Sequence, residues 1–259
     1  MSDIIHRATY VDLNRPTVFA HRGSSAYAPE NTLAAFLLAI DQNADGIELD
    51  AKLTADGQVV VIHDDTVDRT TNGTGRIKSL TLTELKSFDA GSKFQPVFKS
   101  ETVPTLEEVF ETIGNKLLIN VELTNNTSPL DELPEKVAAL VKKFHLEASV
   151  LVSSFNMIAL IRTRNLLPNI PLGLLTHRGY AQATFQSRLV RFGPQLALHP
   201  DYEDLTVNMI QIAHKARCRI HTYTVNQPDS MQQLFTAGVD GIFTDDPLLA
   251  KKVLAENNP

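Results

Sequence analysis

Two carboxylates set two residues apart, in Gly46-Ile47-Glu48-Leu49-Asp50, are the first residues whose spacing carries chemistry. On a strand, Glu48 and Asp50 project from one face about 7 Å apart. Ile47 and Leu49 take the opposite, apolar face. An alternating acidic pair is ordinarily a solvated strand face. In a parallel α/β protein, however, helices cover the outer face, so Glu48 and Asp50 turn inward, where unpaired charge is costly. A third strand-end carboxylate, Glu122, stands in Asn120-Val121-Glu122. A divalent cation held by Glu48, Asp50 and Glu122 compensates all three, and an all-oxygen ligand set suits Mg²⁺ or Ca²⁺ better than zinc. His21 and His63 also end strand candidates, in Ala20-His21-Arg22-Gly23 and Ile62-His63-Asp64-Asp65. A strand-end histidine is more often structural. Beside a metal, two of them can serve as general acid and general base near neutral pH. Arg22 offers a planar fork matched to two phosphate oxygens. Metal, arginine and paired histidines together describe metal-assisted phosphoryl transfer.

These residues need elements that bring them to one place. Strand-like runs occupy 17–21, 46–53, 58–63, 116–123, 149–155, 172–176, 195–199, 219–224 and 239–244. Helical apolar spacing marks 31–42, 106–113, 133–145, 156–166, 207–216 and 230–237. Alternating β and α units over 259 residues, without a linker or an internal repeat, predict a single (β/α)₈ TIM barrel across 1–259. The strand count is one too many. Thr54-Ala55-Asp56-Gly57 is a turn signal that joins 46–53 and 58–63 as a hairpin, and either strand can be the extra one. Residues 64–105, with a short helix at 83–88, form a long insertion after the third strand, expected as a loop or lid over the site. The 177–194 stretch reads as a weaker helix. In a barrel the strand C-termini converge on one mouth, which would gather His21, Arg22, Glu48, Asp50, His63 and Glu122.

Composition narrows the partners. Hydrophobic residues make up 43% and charged residues 21%, with a net charge of −6. An acidic surface repels nucleic acid and anionic membranes, so an anionic substrate needs local positive charge from a metal or arginine. The N-terminus lacks the basic and apolar regions of a signal peptide, and no apolar run spans a bilayer. A soluble, cytoplasmic protein without stable membrane insertion is expected. The single cysteine, Cys218, reads as a buried, inert thiol. Oligomeric state leaves no mark in the sequence.

The ordered set of motifs resembles the glycerophosphodiester phosphodiesterases, a TIM-barrel family. It runs through His21-Arg22-Gly23, Ala28-Pro29-Glu30-Asn31-Thr32, Gly46 to Asp50, Leu53 to Gly57 and Val61 to Asp64. It continues through Asp68 to Gly73, Asp89 to Ser92, Pro104 to Glu108, Ser153-Ser154-Phe155, Thr224-Val225-Asn226 and Gly238 to Asp245. The resemblance implies hydrolysis of glycerophosphodiesters to sn-glycerol 3-phosphate and an alcohol. It implies metal ligation at Glu48, Asp50 and Glu122, acid–base roles for His21 and His63, and phosphate binding by Arg22. Both direct attack by water and attack by the substrate's own 2-hydroxyl through a cyclic phosphate fit it. The sequence departs from the family pattern at Thr124, where a lysine is usual, at Lys93-Phe94, where an aromatic usually follows Ala-Gly-Ser, and at Tyr223, where Trp is common.

Secondary candidates are Glu30 as a partner of Arg22 or His21, Asn31 and Thr32 as helix caps, and Asn72 and Phe94 as substrate contacts from the insertion. Tyr223 joins them, as does His199, which either reaches the mouth or is structural. Asp64 and Asp65 either support His63 and the metal or are solvated. His6, His145, His177, His214 and His221 read as surface or packing residues. Two other functions share these residues: a lysophospholipase D-type enzyme for a bulkier lipid, and a non-catalytic phosphodiester-binding barrel.

Overall fold

The computed structural model describes residues 16–181 and 196–257. Nine strands form one sheet: β1 (Thr17–His21), β2 (Gly46–Leu53), β3 (Val59–Val61), β4 (Leu118–Leu123), β5 (Val150–Ser154), β6 (Leu172–Thr176), β7 (Leu196–Pro200), β8 (Arg219–Thr222) and β9 (Gly241–Thr244). They pair in the order β1-β9-β8-β7-β6-β5-β4-β2-β3, and β1 also pairs with β2. Eight parallel strands therefore close into a (β/α)₈ barrel. The ninth, β3, lies antiparallel on β2, with Lys52 opposite Val60. It is the extra strand that the sequence left open.

Helices cover the barrel: α1 (Leu33–Asp41), α3 (Leu106–Ile113), α4 (Leu133–Lys143), α5 (Met157–Leu166), α6 (Val207–Lys215), α7 (Pro228–Ala237) and α8 (Pro247–Asn257), while the short α2 (Leu82–Lys86) belongs to the insertion. Their starts are written locally. The Thr32 hydroxyl accepts from Ala35 N at the head of α1, and Thr105 with Glu108 forms a capping box on α3. Proline occupies the first turn of α4 and α7, where no backbone donor is lost. The C-terminal α8 had no counterpart in the sequence reading. The weaker helix expected over 177–194 falls, from 182 on, outside the described residues, as do His6 and the N-terminal segment.

Strand alternation builds two cores. Val18, Ala20, Ile47, Leu49, Ile119 and Val121 face outward and pack under the helices. Phe19, Leu118 and Phe243, with Tyr223 against them, fill the barrel interior. Residues 64–105 have a third, private core: Val67, Ile77, Leu85, Ala90 and Val103 close on Val60 and Ile62 beside β3. The insertion is thus a packed lobe on β3 rather than an open lid. Its helix spans Leu82–Lys86 instead of 83–88, because Thr81 and Glu84 form the capping box. Cys218 is buried with Sγ against Leu196 O, and burial pushes its thiol up to about 12, as expected of an inert thiol. Among the described residues no helix is long and apolar enough to cross a membrane.

Gly46 sets the floor beneath Glu48. A Cβ there would lie 2.7 Å from the Phe19 ring and 2.9 Å from Leu118 O. Gly46→Ala should therefore lower the unfolding free energy by about 1–3 kcal/mol, read as a lower urea midpoint at unchanged slope.

Candidate active site

Strand register assembles the acidic residues. His21 lies opposite Glu48 across β1 and β2, and Asp50 lies opposite Glu122 across β2 and β4. Oxygens of Glu48, Asp50 and Glu122 come within 4.8 Å of one another, the spacing of a group that can hold a metal ion. Glu48 and Asp50 are only 4% and 2% exposed. Burial first, then the charges of Asp50 and Glu122, push Glu48 well above the usual carboxylate range. Burial and Asp50 raise Glu122 to about 8. One arginine reaches the cluster: Arg22 Nε lies 3.4 Å from Asp50 Oδ2, and Arg22 N donates to Glu48 Oε2 at 3.0 Å. Three carboxylates against one guanidinium leave negative charge in excess, and the all-oxygen donor set fits a hard divalent cation.

The loop after β1 makes these contacts by unusual backbone. Arg22 and Asn31 both adopt the left-handed region, at φ 57°. Gly23 follows at φ 82°, where a Cβ would meet Ala35 at 2.7 Å. Asn31 Nδ2 donates to Asp50 Oδ2 at 2.8 Å, so Asn31 orients a carboxylate, while Thr32 alone caps α1. Glu30 accepts from Arg22 Nη1 at 2.9 Å and from Arg69 of the insertion. It is the partner of Arg22, the first of its two expected roles.

Each histidine has a carboxylate behind it. His21 Nδ1 donates to Asp245 Oδ1 at 2.6 Å, which fixes the tautomer and leaves Nε2 as the second ring nitrogen. Burial opposes ionisation of Asp245. Donation from His21, then from Asn226 and Ser25, outweighs it and holds Asp245 below its ordinary value. His63 Nδ1 donates to Asp64 Oδ1 at 2.8 Å. The Arg69 guanidinium, and then His63, hold Asp64 far below the usual carboxylate range. Sequence reasoning gave Asp64 only as one possibility and assigned no role to Asp245, Asn226 and Arg69, although all three stand within its motifs. Asp245 could have been found as the residue immediately after a barrel strand.

His21, Arg22, Glu48, His63 and Glu122 line one cavity of about 190 Å³, with Tyr223 and Phe155 on its wall. The Tyr223 hydroxyl donates to Thr176 O at 2.6 Å, so its ring edge is fixed. Other candidates lie elsewhere. His199 is fully buried, with a Cβ on Gly173 2.3 Å from its ring, and burial lowers its pKa to about 3; it is a neutral packing residue. Asn72 binds Asp89 N within the insertion, and Phe94 stacks edge-on against Phe98. Neither lines the cavity. Asp65 pairs with Lys52, not with His63.

The glycerophosphoryl diester phosphodiesterase family model matches residues 21–249. The chain belongs to that family. It is an enzyme of the phosphoric diester hydrolase class. A glycerophosphodiester phosphodiesterase of Caldanaerobacter subterraneus is 42% identical over 231 residues, covering 89% of this chain and 94% of that protein. One from Bacillus subtilis is 34% identical, covering 93% and 87%. An Oleispira antarctica phosphodiesterase, solved in complex with the product sn-glycerol-3-phosphate, superposes with a TM-score of 0.81 at 31% identity, covering 93% of this chain and 97% of that one.

The acidic cluster makes stability depend on pH. A carboxylate raised from 4.5 to about 8 binds a proton in the folded state that the unfolded state has released. In EDTA-treated protein, stability should therefore fall as pH rises from about 4.5 to about 8. Added divalent cation should restore it increasingly over the same window. Melting temperatures across pH, with and without Mg²⁺ or Ca²⁺, measure both slopes.

Proposed function

We propose that this chain hydrolyses glycerophosphodiesters to sn-glycerol 3-phosphate and an alcohol, with His21 and His63 as the acid–base pair. The observation that carries the reading is the single cavity onto which both histidines, Arg22, Glu48 and Glu122 open. The relative from Oleispira antarctica, which holds sn-glycerol-3-phosphate, supports the glycerol phosphate half of the substrate. Glu48, Asp50 and Glu122 would hold Mg²⁺ or Ca²⁺, which when bound polarises the phosphoryl group and neutralises charge developing on it.

The chain's own groups divide the remaining work. Arg22, braced by Glu30 and Asp50, binds phosphate oxygens. His21 accepts the proton of the attacking hydroxyl, from water or from the substrate's own 2-hydroxyl, as the new P–O bond forms. Asp245 offsets the positive charge that then appears on the imidazole; its other side-chain partners, Asn226 and Ser25, are neutral. His63 donates a proton to the departing alkoxide as the old P–O bond breaks. Its carboxylate, Asp64, is already engaged by Arg69, which favours release of that proton. A cavity of only about 190 Å³ supports small diesters over acylated ones.

His21→Ala and His63→Ala should each lower kcat by about 10²–10⁴-fold without loss of the fold. Asp245→Asn should lower kcat more than it raises KM. Unchanged turnover in both histidine variants would sink the mechanism. Removal of metal by EDTA should abolish release of glycerol 3-phosphate from glycerophosphocholine, and re-addition of Mg²⁺ and Ca²⁺ in turn identifies the working ion. Faster turnover of lysophosphatidylcholine than of glycerophosphocholine would replace this reading with the lipid one.

A further inference from the structure

A groove of about 310 Å³ lies between the ends of β2 and β4 and the insertion. Strand register explains its position. Lys52 stands two residues beyond Asp50, and Thr124 two beyond Glu122; Thr124 N extends the β2–β4 ladder by donating to Ala51 O at 3.3 Å. Two residues along a strand advance about 7 Å on the same face. The groove thus begins one side-chain layer above the carboxylates. On the insertion side, Asp65 follows His63 by two residues and accepts from Ile77 N, which fixes Arg76 and Lys78 on the opposite wall.

The charges are unevenly partnered. Lys52, only 9% exposed, donates to Asp65 Oδ1 at 3.0 Å and to Thr124 O at 3.5 Å. Asp131, at the base, accepts from Asn125 Nδ2 at 2.8 Å and Leu133 N at 3.1 Å. The Thr124 hydroxyl turns back onto Ala51 O at 2.8 Å, which leaves the space in front of it open. Arg76 and Lys78 are exposed and, among the described residues, pair with no carboxylate. Lys52, Arg76 and Lys78 against Asp65 and Asp131 leave the groove wall one positive charge in excess, on a chain of net charge −6.

We propose that this groove is the subsite for the leaving alcohol and that it selects alcohols carrying a second anion, a phosphate above all, held by Arg76 and Lys78. The inference rests on the phosphodiesterase reading above. An alcohol of a few carbons spans the layer between the cavity and the groove, and the guanidinium of Arg76 provides two parallel donors for a terminal phosphate.

The test compares kcat/KM on glycerophosphoglycerol and on the same diester with a terminal phosphate on its alcohol. Wild-type protein should favour the phosphorylated diester by about tenfold, the worth of one added charge-assisted hydrogen bond. In Arg76→Gln/Lys78→Gln the ratio should fall to about one, and in Arg76→Glu below one. A wild-type ratio of one, or a preference that survives the double substitution, would overturn the subsite while leaving the phosphodiesterase reading intact. No turnover of either diester would overturn both, since the groove would then have no leaving group to receive.

Discussion

Repulsion among three carboxylates gathered at the barrel mouth is the constraint around which the rest of the site is organised. Glu48, Asp50 and Glu122 are brought together by the register of β2 and β4, and the barrel buries Glu48 and Asp50 and half-buries Glu122, away from the water that would otherwise solvate them. Everything near them answers that charge. Arg22 is bent into a left-handed conformation to present both its backbone N–H and its side chain; Asn31, also left-handed, gives its amide to Asp50. Glu30 and Arg69 then hold Arg22 in place from the far side. A divalent cation there would complete the compensation, so the mutual repulsion of the three carboxylates and their capacity to hold a metal have one origin.

The barrel was legible because its strands alternate so strictly. Ile47, Leu49, Ile119 and Val121 mark the outer face, and Glu48, Asp50 and Glu122 the inner one, so a period of two both predicts the strands and gathers the acidic residues. Boundaries drifted by a residue or two at the strand ends. Residues 62 and 63 extend the alternation, yet β3 stops at Val61, although Ile62 N still donates to Asp50 O at 2.9 Å. The hairpin's orientation was not legible, since the turn at Thr54 to Gly57 fits either strand as the extra one.

The site was legible in part for a related reason. Strand-end residues announce themselves by type and position, and these six did. Their supports did not. Asp245 meets His21 across 224 residues, and only barrel closure through β1 and β9 brings them together. His199, left open between the mouth and a structural role, takes the second: its ring lies against Gly173 inside the barrel, where an imidazole stays neutral.

The insertion after β3 has a further consequence. Its private core of Val67, Ile77, Leu85 and Val103 packs onto Val60 and Ile62 beside the barrel. It behaves as a cassette, able to change its outer residues without disturbing the eight strands, provided that Arg69 keeps its grip on Glu30 and Asp64. A lineage could therefore retune which alcohols it cleaves by editing this lobe, Arg76 and Lys78 included, while the chemistry stays anchored in the barrel. On that proposal, selectivity would rest largely on the outer residues of the lobe, while its inner edge, Asp64 and Arg69, stays tied to the catalytic residues.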